Sequence, residues 1–391
     1  MNILEEIQSC SVEWKELGEV CSVKKGKQLN KNLLIEDGLY PAYNGGQTYS
    51  GRTNDYNVEA NTIIVSQGGA SAGFVNFVDT KFWANAHCYY ILPDETRVNN
   101  RFVYHFVKMN QKYLMDFQHG AGIPALKADK LTKLLLPIPP QEIQEKIVQI
   151  LDKFTDYVTE LTSELTSRKK QYSFYRDKLL SFEDEVYQVE WKKLNECLKK
   201  GKGTKITASQ MKLLHKDGAP IRIFAGGKTY ADVNYGDIPD KDIHTEEAIV
   251  VKSRGIIDFE YCTEPFSFKN EFWSYSSDNE NINLRYIYHY LVHNKEHFQN
   301  IANNMQMPQI SSNDTEKFKI PVPSLEIQSR IVQVLDNFDT VCHDLNIGLP
   351  KEIELRQKQY EFFREKLLTF TAEGVYTDST VQYSTVQTRP H

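Results

Sequence analysis

The chain has no apolar stretch approaching the roughly 18 residues of a membrane-spanning helix. Its start, Met1-Asn2-Ile3-Leu4-Glu5-Glu6, carries acidic residues where a secretory leader carries basic ones. Cysteine is scarce: six in 391 residues, Cys10, Cys21, Cys88, Cys197, Cys262 and Cys342, with no C-x-x-C pair. That scatter speaks against a disulfide framework or a thiolate zinc site and fits a reducing compartment, so a cytoplasmic location is expected. Positive charge is not in excess. With 46 Lys and Arg against 52 Asp and Glu the net charge is −6, which excludes a uniformly basic nucleic-acid binder but leaves room for a locally basic face.

Catalytic signatures are also missing. No G-x-x-x-x-G-K-[ST] phosphate loop occurs, and Gly201-Lys202-Gly203-Thr204 is too short to be one. An amino-methyltransferase needs a glycine-rich cofactor loop and an Asn or Asp before Pro-Pro. Here Pro139-Pro140 follows Ile138 and opens a helix. Pro239-Asp240 begins like a nuclease metal motif, but no E-x-K follows it. His289, His293 and His297 fall four apart, so they are either a metal stripe or one polar face of a helix; no fourth ligand is evident, and no metal site is assigned. No catalytic residue is expected in this chain.

What is present is a repeat. Pro137 to Phe154 returns as Pro321 to Phe338, with eleven of 18 positions identical at an offset of 184. Arg168 to Leu180 matches Arg356 to Leu368 at an offset of 188. Periods of 20–50 residues mark solenoids; this one is far longer and means two whole domains, each followed by its own helix. Each half opens alike, Val12-Glu13-Trp14-Lys15-Glu16-Leu17 and Val189-Glu190-Trp191-Lys192-Lys193-Leu194, and then reaches a basic glycine turn. Short β-branched and aromatic runs between glycines and asparagines predict strands joined by loops, so each globular part is a mostly β, α+β domain. A helix is expected near the end of each, over 99–117 and 283–301.

The repeated segments predict long helices. Apolar residues at Ile143, Ile147, Ile150 and Phe154, continued by Tyr157, Leu161 and Leu165, form one seam at alternating spacings of three and four. No proline or glycine interrupts 141–182, and at 1.5 Å per residue such a helix would reach about 60 Å. Its seam needs a partner, either its own domain or the other copy, whose seam is Ile327, Ile331, Val334 and Phe338; pairing of the two copies is preferred. Thirteen residues separate the matched blocks in the first copy and 17 in the second, which also holds Gly348 and Pro350, residues that break or kink a helix. Four extra residues are about one helical turn.

The pattern resembles the specificity (S) subunit of type I restriction–modification enzymes. The resemblance rests on Pro-Ile-Pro-Pro-x-Glu-Ile-Gln at 137–144, Pro-Val-Pro-x-x-Glu-Ile-Gln at 321–328, the Ile-Val-x-x-Leu-Asp-x-Phe that follows in both, and the domain opening Trp14-x-x-Leu17-Gly18-Glu19-Val20. It implies two mostly β target-recognition domains separated by two long conserved helices that pair as an antiparallel coiled coil, a pseudo-twofold tandem repeat. The boundaries would be 1–136 for the first recognition domain, 137–186 for the first helical spacer, 187–320 for the second domain and 321–372 for the second spacer, with a tail at 373–391 expected to be disordered. The family further implies a non-catalytic subunit that binds a bipartite asymmetric site on double-stranded DNA, with two methyltransferase (M) subunits and restriction/translocase (R) subunits as partners. S-adenosylmethionine, ATP and Mg would belong to those partners. A rival is a coiled-coil scaffold or adhesion protein with two ligand-binding domains; the cysteine usage and the paired Lys-Lys-Gly-Lys turns speak against it.

Base recognition calls for amides and guanidinium groups on loops where glycine permits close approach. Candidates in the first domain are Asn44, Gln47, Tyr49, Arg52 and Gln67; in the second, Lys228, Tyr230, Lys252 and Arg254. Lys24, Lys25 and Lys27, with Lys199, Lys200 and Lys202, are candidate phosphate contacts, their alternative being solvated surface charge. The basic runs Arg168-Lys169-Lys170 and Arg356-Gln357-Lys358 are weaker candidates for contact with partners or with the DNA between half-sites.

Overall fold

The computed structural model describes residues 3–116, 125–182, 189–303 and 308–370. The expected tail at 373–391 lies outside them. The chain divides into two compact units, Met1–Thr162 together with Glu352–His391, and Ser163–Lys351. Each therefore contains one globular domain, the adjoining half of its own long helix and the far half of the other copy's helical segment.

In the first unit a four-stranded antiparallel sheet has the order Cys21–Lys25, Cys88–Pro93, Thr62–Ser66, Val75–Val78. A three-stranded sheet, Gly51–Thr53, Tyr40–Tyr43, Trp83–Ala84, contains one parallel pair. The second unit repeats both: Lys199–Lys202, Trp273–Ser276, Ala248–Lys252, Asp258–Cys262, and Tyr230–Val233, Ile221–Phe224, Phe266–Phe268. The central strand is buried on both faces, which explains its unbroken apolar run. Ile63 and Val65 pack with Ile91, Phe102, Val103 and Phe106 beneath the domain helix, whereas Ile64 packs with Val78 and Phe82 beneath the smaller sheet. Ile249 and Val251, against Val250, divide in the same way. A two-stranded ribbon closes each domain and leads into its spacer, Glu13–Glu16 with Leu135–Ile138 and Glu190–Lys193 with Lys319–Val322.

The domain helices, Asn100–Met109 and Leu284–His293, start on asparagine caps: Asn99 Oδ1 accepts from the amides of Arg101 and Phe102, and Asn283 Oδ1 from that of Tyr286. The first spacer is one helix, Gln141–Ser181. The second is two, Leu325–His343 and Leu349–Leu368. The break falls at the glycine and proline. Asp344 Oδ1 accepts from the amides of Asn346 and Ile347, a Cβ on Gly348 would lie 2.4 Å from the Thr340 carbonyl, and Pro350 occupies the first turn of the new helix, where its missing N–H costs nothing.

Two buried polar contacts dock each domain helix on its spacer. Gln144 Oε1 accepts from the Asn99 amide at 2.7 Å while Nε2 donates to the Pro139 carbonyl at 2.9 Å. Gln328 repeats this with Asn283 at 2.8 Å and Pro323 at 2.8 Å. Further along the spacer, Asp152 accepts from Arg101 Nη2 at 2.5 Å and meets His105 Nε2 at 2.7 Å. Asp336 meets Arg285 Nε at 2.9 Å and His289 Nε2 at 2.7 Å. Each arginine also lies over two aromatic rings, Phe77 and Tyr104 or Tyr261 and Tyr288.

The spacers also pair with each other, antiparallel. In the first unit Phe154 stacks on Phe363 at 5.1 Å, and Tyr360 places its hydroxyl 3.0 Å from His105 Nδ1. In the second, Tyr172 lies against His343 at 5.7 Å while Tyr175, further along, reaches back to Phe338 at 5.7 Å. Phe338 and Tyr175 are the repeat counterparts of Phe154 and Phe363. The seam expectation needs correction at three positions, Ile150, Val334 and Tyr157, the last of which is 53% exposed. Ile143, Ile147 and Ile331 are buried, but the deepest residues beside them are Leu151 and Leu335 at 0%, not Ile150, which is half-buried, or Val334, which is 37% exposed. Ile327, Phe154 and Phe338 are half-buried. Each spacer serves two partners, so its most buried line turns toward its own domain while the aromatic residues face the other spacer.

Removing the amide dock should be costly. Gln328→Leu strips partners from the Asn283 amide and the Pro323 and Asn281 carbonyls, so the first unfolding transition in urea should lose about 1–3 kcal/mol; an unshifted midpoint would contradict the dock. The histidine pairs make stability depend on pH. Burial, partly opposed by the paired aspartates, holds His105 and His289 below the ordinary value of 6.5. The unfolded chain then binds protons more readily, so stability is present above 6.5 and is lost as pH falls below it. Burial raises Asp152, but His105 and Arg101 outweigh it and hold the carboxyl low; its contribution is likewise lost at lower pH. The thermal midpoint should fall between pH 7 and pH 5, and the double variant His105→Gln/His289→Gln should flatten that decline.

Candidate nucleic-acid interface

The expected basic turns are strand instead: Lys24 and Lys25 end the first strand of one larger sheet and Lys199–Lys202 is the first strand of the other, and glycine is needed where that strand passes close to other residues. A Cβ on Gly26 would lie 2.2 Å from the Asn85 carbonyl, one on Gly201 2.3 Å from Ser274 Oγ, and one on Gly203 2.3 Å from the Phe268 carbonyl. The flanking lysines point outward as a result. Lys24, Lys25 and Lys27 are exposed and, among the described residues, form no ion pair. Lys199 pairs with Asp278, and Lys200 with Glu316 at 2.5 Å and Ser312 at 3.1 Å. Lys202 is exposed. Exposed pairs of this kind are weak and exchange readily with another anion.

Next to this basic segment in the first unit lies the loop joining Tyr40–Tyr43 to Gly51–Thr53. Gly45, at φ +84°, is buried and donates to Cys88 Sγ at 3.2 Å. The Gly46 carbonyl accepts from Ser66 Oγ at 3.1 Å and that of Gln47 from Asn76 Nδ2 at 2.7 Å. With its backbone held in this way, the loop displays Asn44, Gln47 and Tyr49 to solvent. In the second unit the corresponding loop, between Ile221–Phe224 and Tyr230–Val233, displays Lys228 and Tyr230. The Arg222 guanidinium lies 4.2 Å over the Tyr230 ring and is paired with Asp232 through two hydrogen bonds of 2.8 and 3.1 Å. Arg254 is exposed on the neighbouring loop.

Three candidates are not displayed. Arg52 donates from Nε to the Gly38 carbonyl at 2.6 Å and from Nη2 to that of Leu39 at 2.9 Å, so its guanidinium braces its own domain. Gln67 is half-buried, with its side chain on the Tyr89 hydroxyl. Lys252 is 2% exposed, its ammonium on Glu260 at 2.5 Å and on the Gly227 carbonyl at 2.9 Å. All three lie in or adjoin strands, where a polar side chain turns inward as readily as outward. Sequence reasoning missed Arg222, which the alternation in Ile221-Arg222-Ile223 could have revealed, and Ser66, whose role carries no local signal.

The three histidines take separate roles rather than converging. His289 joins Asp336, His293 Nδ1 lies 3.5 Å from Asp177, and His297 packs on Phe318. Among the described residues no cluster of metal-ligating side chains occurs, and no helix is long and apolar enough to cross a membrane. Arg168 and Arg356 sit in exposed pairs with Glu164 and Glu352, one helical turn away.

The model of the type I restriction modification DNA specificity domain matches this chain twice, over residues 11–168 and 188–355. A type I restriction enzyme specificity subunit of Escherichia coli is 31% identical over 95% of this chain and 97% of its own length. A putative type I restriction enzyme specificity subunit of Haemophilus influenzae is 30% identical over 93% of this chain and 97% of its own. The crystal structure of a type I restriction–modification S subunit from M. genitalium shares the fold at a TM-score of 0.69 and 22% identity, covering 93% of this chain and 98% of that one. With the family's domain present in both halves of one duplicated architecture, the chain belongs to the specificity subunits of type I restriction–modification systems, the non-catalytic subunits of those enzymes.

Proposed function

We propose that this chain reads a bipartite, asymmetric site on double-stranded DNA, one half-site per globular domain, and delivers methyltransferase and restriction/translocase subunits to it. The observation that carries this reading is that two units of one architecture display different side chains from equivalent loops. Asn44, Gln47 and Tyr49 stand where the other unit has Lys228 and Tyr230. Amide and ammonium groups prefer different base edges, so the two half-sites differ and the target need not be palindromic. Lys24, Lys25, Lys27, Lys199, Lys200 and Lys202 supply phosphate contacts, which give affinity without sequence. The net charge of −6 is accommodated if partner subunits neutralise much of the backbone. S-adenosylmethionine, ATP and Mg are then cofactors of those partners.

Co-expression with a cognate methyltransferase subunit in a methylation-free host, followed by genome-wide mapping of modified bases, tests the proposal. The expected result is a split motif with a fixed gap, methylated only when this chain is present; absence of both methylation and a complex would favour a scaffold. In the assembled complex, the triple change Lys24→Glu/Lys25→Glu/Lys27→Glu should weaken binding to all sequences alike. It should also make log Kd less steep against log salt, by about 0.9 for each phosphate that is no longer neutralised. Weakening confined to particular base pairs would instead make these lysines base readers.

A further inference from the structure

Resting on that reading, we infer that Lys252 and Ser66 are positioning residues: each fixes the loop of its own domain that displays base-reading side chains, and so governs one half-site only. Both end the central strand of the larger sheet, Thr62–Ser66 or Ala248–Lys252, which is flanked by a strand on either side. Alternation along the strand sends them to the face of Ile64 and Val250, which packs against the smaller sheet. From there each reaches a main-chain carbonyl of the adjacent loop, Ser66 Oγ to Gly46 at 3.1 Å and Lys252 Nζ to Gly227 at 2.9 Å. Gly46 and Gly227 are each the third residue beyond the strand that precedes them, and the next residue in each case is a displayed candidate, Gln47 or Lys228.

The two anchors differ in kind. A serine donates one neutral hydrogen bond. A lysine that is 2% exposed must satisfy its charge, and Glu260 does so at 2.5 Å from the neighbouring strand, with the Phe224 ring 5.4 Å from the ammonium. Around Gly227, at φ +61°, no atom would lie within 4 Å of an added Cβ, so little packing holds the loop where the lysine grips it. Gly226 before it is equally open, whereas its counterpart in the first loop, Gly45, is buried against His87 and Cys88. The second loop therefore depends on its anchor more than the first.

The test uses the full chain with its methyltransferase partner and the variants Lys252→Met and Ser66→Ala. Methionine keeps the unbranched apolar stem of the lysine as far as Cε, and the Glu260 carboxylate left behind is 38% exposed and can be hydrated, so the fold should survive. Lys252→Met should cut methylation of the cognate site at least tenfold and relax base choice in the second half-site alone, with complex yield and thermal midpoint unchanged. Ser66→Ala should do the same, more mildly, to the first half-site. Equal loss at both half-sites in either variant, or unaltered discrimination in the second half-site of Lys252→Met, would overturn the inference. Amide hydrogen exchange decides the anchor independently of DNA: in Lys252→Met the Ala225 and Thr229 amides, bonded to the Thr229 and Gly226 carbonyls within the loop, should exchange at least tenfold faster while those of 249–251 keep their rates. Unchanged loop exchange refutes the anchor. A wild-type chain that directs no methylation, with loop exchange accelerated in the variant, refutes the proposed function and leaves the anchor standing.

Discussion

The architecture depends on a glutamine buried at the start of each spacer. Gln144 and Gln328 are almost fully enclosed, and each bonds both the cap of its domain helix and a carbonyl of the proline segment that leads into the spacer. A buried amide without partners is costly, so the three elements can meet in only one register. The aspartate two turns on fixes their rotation as well, because it must accept from an arginine and a histidine on the same domain helix. Apolar packing alone tolerates sliding; a pair of buried polar contacts does not. Domain and spacer are thereby joined with a defined geometry, twice.

That duplication is not two self-contained copies side by side. Each compact unit takes a helix end from the other copy, and the aromatic contacts that close the first unit, Phe154 on Phe363, recur in the second as Phe338 on Tyr175. The second spacer could therefore break at Asp344–Gly348 without loss, since its two pieces belong largely to different units and each is held by its own partners. The uninterrupted first spacer and the broken second one share the Phe154–Phe363 and Phe338–Tyr175 contacts, whereas Tyr360 bonds His105 and its counterpart Tyr172 packs on His343 instead.

Much of this was legible in the sequence, for physical reasons. The repeat, the long helices, their pairing and the glycine–proline break depend on local spacing and on residues with one dominant conformational effect. Positions 150 and 334 depart from the expected seam because a strict three-and-four count follows one stripe, whereas a helix gripped on two sides buries a wider arc, with Leu151 and Leu335 at its centre. Side-chain direction in and beside strands was not legible. Arg52, Gln67 and Lys252 have the chemistry of DNA readers, and what turns them inward is a carbonyl or a hydroxyl supplied from elsewhere in the fold. A loop's sequence states what it can offer, but only the tertiary structure states which groups are already engaged.

The same distinction explains how one frame can serve two different specificities. Gly26, Gly201 and Gly203 are demanded by close neighbouring atoms, and the glutamines and aspartates by burial, so changing any of these costs stability. Asn44, Gln47, Tyr49, Lys228 and Tyr230 answer to no such demand, since their side chains are exposed on backbones fixed by other residues. Exchanging them costs little stability, because exposed substitutions away from caps and strained turns usually change it by less than about 0.5 kcal/mol. Fold and reading are carried by separate sets of residues, and the carbonyl bonds of Ser66 and Lys252 are where the two sets meet.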